Sequence, residues 1–396
     1  MPGPRAVSGV LDQMDTAAVT VRQERCAKVR NRNVSCLRCA DACTSGCISL
    51  VDGELVVDAA RCVGCGTCAT VCPTCALESR NPSDAQLLAS CVRALRDGEA
   101  VIMCEQLRCA VSGLIDEGRV ASVVCLGRVE ESLVVELAVR GARCIHLACG
   151  ECSRCAQAHG LDCARLVAGT AGTLLEAWGS AVRICIEQGV PADLVVAADG
   201  PAAADGAVAA YFSNGSGNRA TAAPTAAPAG SGVPPSAARP LPHVMKDGTL
   251  PHFLPDRRER LLNALALLGG PRVGSLSVRL WGRVAIDGRK CSSCRMCATF
   301  CPTGAIRKFD RDGGADGGGH GTFGVEHRPA DCVKCGSCRD ICPEGALTVF
   351  DDVRTADLTD GTSHRHTMRP RSVELGSAQQ ILSAMRHGMD ASVFER

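Results

Sequence analysis

Cysteines in short, regularly spaced runs are the residues of this sequence best suited to chemistry, because thiolates at such spacing bind metals. Residues 291–301 and 332–342 each hold four cysteines separated by two, two and three residues, and proline follows the fourth. On one short loop, three thiolates can hold one face of a 4Fe–4S cube, whereas the fourth faces away and ligates a second cluster. This rule predicts one cluster on Cys291, Cys294, Cys297 and Cys342, and one on Cys332, Cys335, Cys338 and Cys301.

The same two runs closely resemble the two-cluster bacterial ferredoxin family over residues 283–350. The repeated tails Cys-Pro-Thr-Gly-Ala-Ile and Cys-Pro-Glu-Gly-Ala-Leu strengthen the resemblance. We therefore expect apolar strands at residues 283–286 and 347–350, and a surface loop at the Gly- and Asp-rich residues 310–321. A pair of zinc knuckles is the alternative, but zinc prefers two Cys-x2-Cys pairs with a longer spacer.

A second pair of cysteine runs lies near the N-terminus, at residues 36–47 and 62–72. The later run repeats the regular pattern and its proline, whereas the earlier run has one additional residue before its third cysteine and lacks the proline. We call the rule that the fourth cysteine of each run ligates the cluster of the other run the crossing rule. It predicts one cluster on Cys36, Cys39, Cys43 and Cys72, and another on Cys62, Cys65, Cys68 and Cys47. Cys26 and Cys75 are left over, and Cys75 is expected to be a packed small residue.

Apolar residues between these two N-terminal runs predict a connecting hairpin. Valine and leucine recur over residues 51–57, and Asp52 and Gly53 supply a turn. Gly64 and Gly66 in the later run allow the backbone to approach cluster sulfurs closely.

Residues 98–200 have a different pattern, which predicts a small α/β unit. Apolar runs at residues 100–103, 122–125 and 144–148 read as strands, and residues 130–140 place apolar side chains on one helical face. Open α/β sheets bind ligands beyond the carboxyl ends of their strands. Cysteines at these strand ends are therefore expected to converge on one metal centre.

Three short segments of this region resemble the delta subunit of methyl-viologen-reducing hydrogenase: Val-Val-Cys-Leu-Gly-Arg-Val-Glu (123–130), Arg-Gly-Ala (140–142) and Leu-Ala-Cys-Gly-Glu-Cys (147–152). That family links hydrogenase or formate dehydrogenase to heterodisulfide reductase and carries a 2Fe–2S cluster. The resemblance implies a cluster on Cys104, Cys125 and Cys149, with Cys152 or Cys155 as the fourth ligand.

The last of these motifs departs from the family, which spaces its final two cysteines more widely. A zinc site and unligated thiols are therefore the alternatives for this region. His146, which lies inside an apolar strand, is expected to be a packed histidine rather than a ligand. Four further cysteines lie in apolar patterns and are expected in the core: Cys91, Cys144, Cys163 and Cys185.

Together these patterns predict an α+β multidomain protein, with two ferredoxin-like dicluster domains flanking a small α/β domain. The predicted segments are an N-terminal dicluster domain (1–90), the α/β domain (91–200), a flexible Ala/Pro/Gly linker (201–242), a C-terminal dicluster domain (243–355) and a tail (356–396). The linker would let the C-terminal ferredoxin swing between sites. A helix at residues 261–268 is expected to pack on that ferredoxin or on a partner, and the tail to be frayed or to carry a docking helix around Ile381.

Charge and hydropathy exclude several classes of function. A net charge of +1 argues against a nucleic-acid binder, which needs a basic excess. The sequence has no apolar run long enough to span a membrane and no apolar segment near its start, so we expect cytoplasmic localisation with reduced thiols. Dinucleotide-binding, Walker A and nucleophile-elbow motifs are absent.

Four 4Fe–4S clusters, with one 2Fe–2S cluster as a further candidate, would make a path for single electrons. We therefore expect a non-catalytic electron-transfer subunit of a cytoplasmic oxidoreductase complex. Its partners would be redox subunits that resemble hydrogenase, formate dehydrogenase or heterodisulfide reductase. Two alternatives stay open: a cysteine-based reductase that acts on a disulfide or small substrate at the middle domain, and a redox sensor or zinc-bound scaffold.

Overall fold

A computed structural model describes residues 18–196, 244–311 and 322–369. The predicted linker at 201–242 and the end of the predicted tail, with Ile381, lie outside the described residues. Helices and small sheets alternate along the described chain, so the protein has an α+β fold. We refer to residues 18–82, 83–196 and 244–369 as the N-terminal, middle and C-terminal units.

The N-terminal unit consists of two small antiparallel strand pairs and three short helices. Its elements are β1 (Val19–Val21), α1 (Ala27–Arg30), α2 (Arg38–Asp41), β2 (Ile48–Val51), β3 (Glu54–Val57), α3 (Thr67–Val71) and β4 (Leu77–Ser79). β1 pairs with β4, and β2 pairs with β3 as the predicted hairpin. Asp52 and Gly53 have φ of 50° and 78°, the left-handed conformation that a type I′ turn requires.

The middle unit is a four-stranded parallel sheet flanked by helices. Its elements are α4 (Asp84–Ala94), β5 (Glu99–Cys104), α5 (Glu105–Ala110), β6 (Val120–Val123), α6 (Glu131–Val139), β7 (Cys144–Cys149), α7 (His159–Ala177) and β8 (Arg183–Gln188). The sheet order is β6-β5-β7-β8, and the predicted strands at β5, β6 and β7 are parallel. The structure adds α7 and β8, which the sequence analysis did not predict.

The C-terminal unit contains three antiparallel sheets. Its elements are α8 (Asp256–Leu267), β9 (Ser275–Ser277), β10 (Arg283–Ile286), α9 (Met296–Thr299), β11 (Ile306–Arg311), β12 (Thr322–His327), α10 (Ser337–Asp340), β13 (Leu347–Phe350), β14 (Asp352–Arg354), α11 (Thr355–Thr359) and β15 (His364–Met368). β10 pairs with β13 over the predicted residues, β9 with β14, and β12 lies between β11 and β15.

Two segments of the C-terminal unit differ from the sequence-based expectation. Asp310 lies in β11 rather than in a surface loop, and the rest of that expected loop, residues 312–321, falls outside the described residues. Residues 364–368, which we had placed in the tail, form the edge strand β15 beside β12. Edge pairing gives this segment backbone hydrogen bonds that a frayed tail would lack.

The helix α8, which was expected to pack on the C-terminal ferredoxin or on a partner, packs on the middle unit. Its Leu261, Ala264 and Leu265 are buried in the middle-unit core, together with Trp281. The apolar side of α8 is covered by α6, which is apolar on more than one face. The middle and C-terminal units therefore share one hydrophobic core.

Within the part of the chain that the structure describes, no helix is long and apolar enough to cross a membrane.

Candidate metal centres

Both cysteine runs of the C-terminal unit fold into the same tight loop. The residues on either side of the second cysteine are left-handed in each run, at Ser293 and Arg295 (φ 60° and 57°) and at Lys334 and Gly336 (φ 51° and 80°). Each loop leads into a one-turn helix, α9 or α10, which contains the third cysteine. These turns bring three thiols onto one side of the loop, as ligation of a cluster requires.

Several thiols of this unit lie within electrostatic range of one another. Burial raises the pKa of Cys338 well above its usual range, and the charges of Cys335, Cys332 and Cys301 raise it further. Burial likewise raises the pKa of Cys297 to about 12, with Cys294 and Cys291 adding to the effect. A group of buried thiols that oppose one another's ionisation fits a bound cation, which stabilises all the thiolates together.

Backbone N–H groups also donate to the fourth cysteine of each C-terminal run. Ile306 N lies 3.5 Å from Cys301 Sγ, and Ala346 N lies 3.4 Å from Cys342 Sγ. Hydrogen bonds to cluster sulfurs favour the reduced, more negative cluster and thereby adjust its potential. The residues present therefore fit two 4Fe–4S clusters in this unit.

The later N-terminal run repeats this geometry. Gly64 and Gly66 flank its second cysteine in the left-handed conformation (φ 67° and 76°), α3 contains Cys68, and Ala76 N donates to Cys72 Sγ at 3.2 Å. A side chain at residue 66 would also collide with Arg128, since a Cβ there would lie 2.5 Å from its Cδ. Glycine at this position thus serves both the turn and the close approach of the middle unit.

The earlier N-terminal run has a different loop. Leu37, just before α2, has φ −137°, so the left-handed residues of the other loops have no counterpart there. Cys39 lies in α2, and Cys43 Sγ lies 3.5 Å from Cys47 Sγ. Cys26, which had no predicted role, is buried in the same core as Cys39 and Cys72.

The structure brings the predicted middle-unit cysteines together at the carboxyl ends of the strands. Cys104 ends β5, Cys149 ends β7, and Cys152 lies within electrostatic range of both. Cys125 follows β6 and interacts electrostatically with Cys155 and Cys152. Five thiols thus surround one region, which suits a centre with four cysteine ligands.

A second group of side chains that could ligate a metal ion lies elsewhere on the sheet. The sequence analysis did not predict this group. Possible ligand atoms of Cys144, His146 and Cys185 all lie within 4.8 Å of one another. However, His146 Nδ1 lies 2.8 Å from Glu187 and Nε2 lies 2.7 Å from Glu99, so carboxylates already occupy both ring nitrogens. His146 is therefore a packed histidine with satisfied hydrogen bonds. In the sequence, the only sign of this group is that Cys144 and His146 of β7 are two residues apart and therefore lie on the same face of the sheet.

The two ferredoxin-type units contact each other at their cysteine runs. Asp340 Oδ2 accepts hydrogen bonds from Ser35 N and Oγ at 2.9 and 2.6 Å, and Arg38 Nη2 donates to the Lys334 carbonyl at 3.0 Å. A small core of Ala27, Val34 and Ile341 packs there against Cys36 and Cys335. The swinging C-terminal ferredoxin expected from the linker is docked in this structure.

The N-terminal unit lies close to the group of five thiols in the middle unit, which we call the middle centre. Two glycines permit the close approach. Gly127 faces Thr67 of α3, where a Cβ would lie 2.3 Å from the hydroxyl oxygen. Gly160 faces Cys125, where a Cβ would lie 2.1 Å from the sulfur. Cys125 is consequently within electrostatic range of Cys65 in the N-terminal unit.

A buried charged cluster fixes the C-terminal unit on the other two. Arg260 lies 2.8 Å from Glu130 and 3.1 Å from Asp84, while Arg279 binds both carboxylate oxygens of Glu131 at 2.6 and 2.8 Å. Arg257 Nη2 donates to Cys75 Sγ at 2.9 Å. Cys75 is buried as expected of a packed residue, and it also accepts a charged hydrogen bond.

Comparison with known proteins agrees with the two ferredoxin-type regions. A family model described as a 4Fe-4S dicluster domain matches residues 290–346, and one described as a 4Fe-4S binding domain matches residues 53–74. No curated protein matches the chain. The chain therefore contains two ferredoxin-type 4Fe–4S domains, which indicate a role in electron transfer.

Proposed function

We propose that this chain is an electron-transfer subunit of an oxidoreductase complex, and that it relays single electrons between a catalytic subunit and another carrier. Each bound iron–sulfur cluster would supply one-electron redox chemistry. The protein residues ligate the clusters, donate hydrogen bonds to their sulfurs and hold them in a fixed order.

The observation that carries this proposal is a continuous series of cysteine groups through all three units. Cys125 of the middle centre interacts with Cys65, and Cys68 of that next group interacts with Cys39. Cys36 then interacts with Cys335 across the interface between the ferredoxin units. Cys338 finally interacts with Cys297, which completes a path of five groups.

Both ends of this series are accessible from solvent, which supports docking of redox partners there. Cys294 at the C-terminal end is exposed, and Cys152 and Cys155 at the middle end are half-buried. Electrons would therefore enter at one end and leave at the other.

The partners we propose are catalytic or carrier subunits that resemble hydrogenase, formate dehydrogenase or heterodisulfide reductase. The resemblance of residues 123–152 to a hydrogenase delta subunit supports this class, and it supports a 2Fe–2S cluster at the middle centre. Four 4Fe–4S clusters would complete the relay. We propose the cytoplasm as its compartment, because reduced thiols are available there for cluster assembly.

A cysteine-based reductase is less well supported. Burial raises the pKa of Cys149 to about 12, and neighbouring Cys152 opposes its ionisation further. A free thiol of that kind stays protonated at neutral pH and is a poor nucleophile. Metal ligation, which stabilises the thiolate, suits these residues better.

Iron and acid-labile sulfide analysis of anaerobically purified full-length protein tests the proposal. We expect about 16 iron atoms per chain from four 4Fe–4S clusters, with more if the middle centre is occupied. Cys109→Ser, a change at an exposed thiol, is the control and should leave the iron content unchanged. Bound zinc with little iron, or no reversible electron paramagnetic resonance signal on reduction, would refute the relay.

A further inference from the structure

We propose that Cys26 is the fourth ligand of the N-terminal cluster held by Cys36, Cys39 and Cys72. In the same proposal Cys43 crosses to the cluster of Cys62, Cys65 and Cys68, and Cys47 ligates neither. This assignment rests on the proposed function, since it concerns two clusters of that relay. It replaces the ligand sets that cysteine spacing predicts for the N-terminal unit.

Helix register identifies the role of each cysteine in the altered run. In the three regular runs, the third cysteine is the second residue of a short helix: Cys68 in α3, Cys297 in α9 and Cys338 in α10. Cys39 is likewise the second residue of α2. Cys39 is thus the third cysteine of its run, Cys36 is the second, and Cys43, four residues after Cys39, is the fourth.

Hydrogen bonds also support the correspondence of Cys43 to the fourth cysteine of the other runs, Cys72 and Cys342. Ala76 N donates to Cys72 Sγ and Ala346 N donates to Cys342 Sγ, each from four residues further along the chain. Cys47 N makes the same bond to Cys43 Sγ. Cys47 therefore stands where the other runs have alanine, a position whose backbone serves the cluster and whose side chain does not.

The second N-terminal cluster has a complete ligand set on this assignment. Cys68 interacts electrostatically with Cys65, Cys62 and Cys43, and also with Cys39, the third cysteine of the other run. The same neighbourhood holds in the C-terminal unit, where Cys338 interacts with Cys335, Cys332 and the crossing Cys301. Cys47 also lies near Cys62, so proximity alone does not separate it from Cys43; the register and the hydrogen bond do.

The first position of the altered run has no cysteine of its own. It falls on Asn33, three residues before Cys36, and the side chain of Asn33 is exposed. The buried Cys26 interacts electrostatically with Cys36, Cys39 and Cys72. Its sulfur accepts hydrogen bonds from the backbone of Lys28 and Val29, as cluster sulfurs commonly do. Cys26 therefore completes a group of four thiols.

Serine substitutions in the full-length protein separate the two assignments. Cys26→Ser and Cys47→Ser are matched controls for packing, because the side chains are 8% and 6% exposed. We expect Cys26→Ser to lose about four iron atoms per chain or to change the electron paramagnetic resonance spectrum of one cluster. Cys43→Ser should change the other N-terminal cluster, and Cys47→Ser should match wild type in iron, sulfide and spectrum.

Wild-type iron and spectrum in Cys26→Ser, or loss of a cluster in Cys47→Ser, would overturn the assignment. If Cys26→Ser loses all its iron through misfolding, Cys26→Asp decides, since a carboxylate can ligate iron. The expected result is recovery of the cluster with an altered spectrum, and absence of recovery would count against ligation. Wild-type protein without iron would instead refute the proposed function itself.

Discussion

At the scale of single residues, the tightest approach to the middle centre is made by Gly160. This residue is the second of α7, and the space that a Cβ would need is filled by the sulfur of Cys125. Gly169 of the same helix has open space around it. The pair therefore separates crowding at the centre from the general effect of glycine in a helix.

Gly160→Ala should displace Cys125 and destabilise the protein by about 1–3 kcal/mol, the usual cost of overpacking. Gly169→Ala should instead be neutral or stabilise by about 0.5–1 kcal/mol, because alanine loses less entropy in a helix. Denaturant unfolding and metal content at the middle centre measure both effects. Equal behaviour of the two variants would show that Cys125 is not confined by Gly160.

Cysteine spacing predicts the loop conformation only where the spacing is regular. The two C-terminal runs fold into the loop that their spacing indicates, whereas the N-terminal run at residues 36–47 does not. Spacing gives no role to Cys26, the ligand that we propose, because nine residues separate it from Cys36 and no local motif has that spacing. Its position near Cys72 depends on tertiary packing around β1 and β4, which sequence spacing does not encode.

At the scale of elements, His146 of β7 lies between carboxylates of two neighbouring strands. Burial opposes its charge, but Glu187 of β8 and Glu99 of β5 outweigh burial and raise the pKa of His146 above its usual value. Cys144 and Cys185 are the other titratable groups beside it. The protonated ring stabilises the sheet below pH of about 6.5, and this stabilisation declines as pH rises through the raised folded-state pKa.

Glu187→Gln should therefore lower the thermal midpoint most at pH 6 and progressively less towards pH 9. In the variant the folded-state pKa of His146 falls, so the low-pH stabilisation is reduced. Thermal unfolding of wild type and variant across this range measures the difference. Glu176→Gln, at an exposed position on α7, should show no such trend. A constant difference between wild type and Glu187→Gln would contradict the role of His146.

The ion pair between Glu131 of α6 and Arg279 joins the middle and C-terminal units. Arg279→Met should destabilise the protein by about 3–5 kcal/mol, because it leaves the fully buried Glu131 carboxylate unpaired. Arg165→Met removes an exposed pair with Asp162 and should cost less than about 1 kcal/mol. Free energies of unfolding compare the two variants. Similar small losses would mean that Glu131 is solvated or protonated.

Elements with a clear local signal were predicted, whereas packing between distant segments of the chain was not. The hairpin β2–β3 follows from apolar residues around a turn, whereas β10 and β13 were expected from the ferredoxin resemblance. The helix α8 was recognised from its apolar residues, but its docking on α6 depends on charges far apart in sequence, such as Arg260 and Glu130. Such pairs cannot be matched from one sequence.

At the scale of the whole molecule, docking of the two ferredoxin units brings the cysteine group of Cys36 next to the cysteine group of Cys335. The side chain of Asp340 is 10% exposed and holds the Ser35 end of this interface. The same docking surface includes Cys36 and Cys335, which both pack against the small core of Ala27, Val34 and Ile341. Electron passage between the units should therefore depend on these few polar contacts.

Asp340→Ala should loosen the interface by about 1.5–3 kcal/mol, the value of hydrogen bonds to a charged group. We expect weaker magnetic coupling between clusters of the two units and slower internal electron transfer. Electron paramagnetic resonance of the reduced protein and stopped-flow reoxidation measure these quantities. Asp352→Ala, which removes a pair with Arg283 inside the C-terminal unit, is the control. Unchanged magnetic coupling in Asp340→Ala would mean that electron transfer between the units does not depend on this interface.

The shared charged cluster also has a consequence for synthesis of the chain on the ribosome. Glu130 and Glu131 emerge early, whereas their arginine partners, Arg260 and Arg279, are translated only after residues 197–243. Until then the nascent middle unit cannot bury these carboxylates without a large desolvation cost. The arrangement of the three units is thus completed late in translation, when the arriving arginines neutralise the carboxylates.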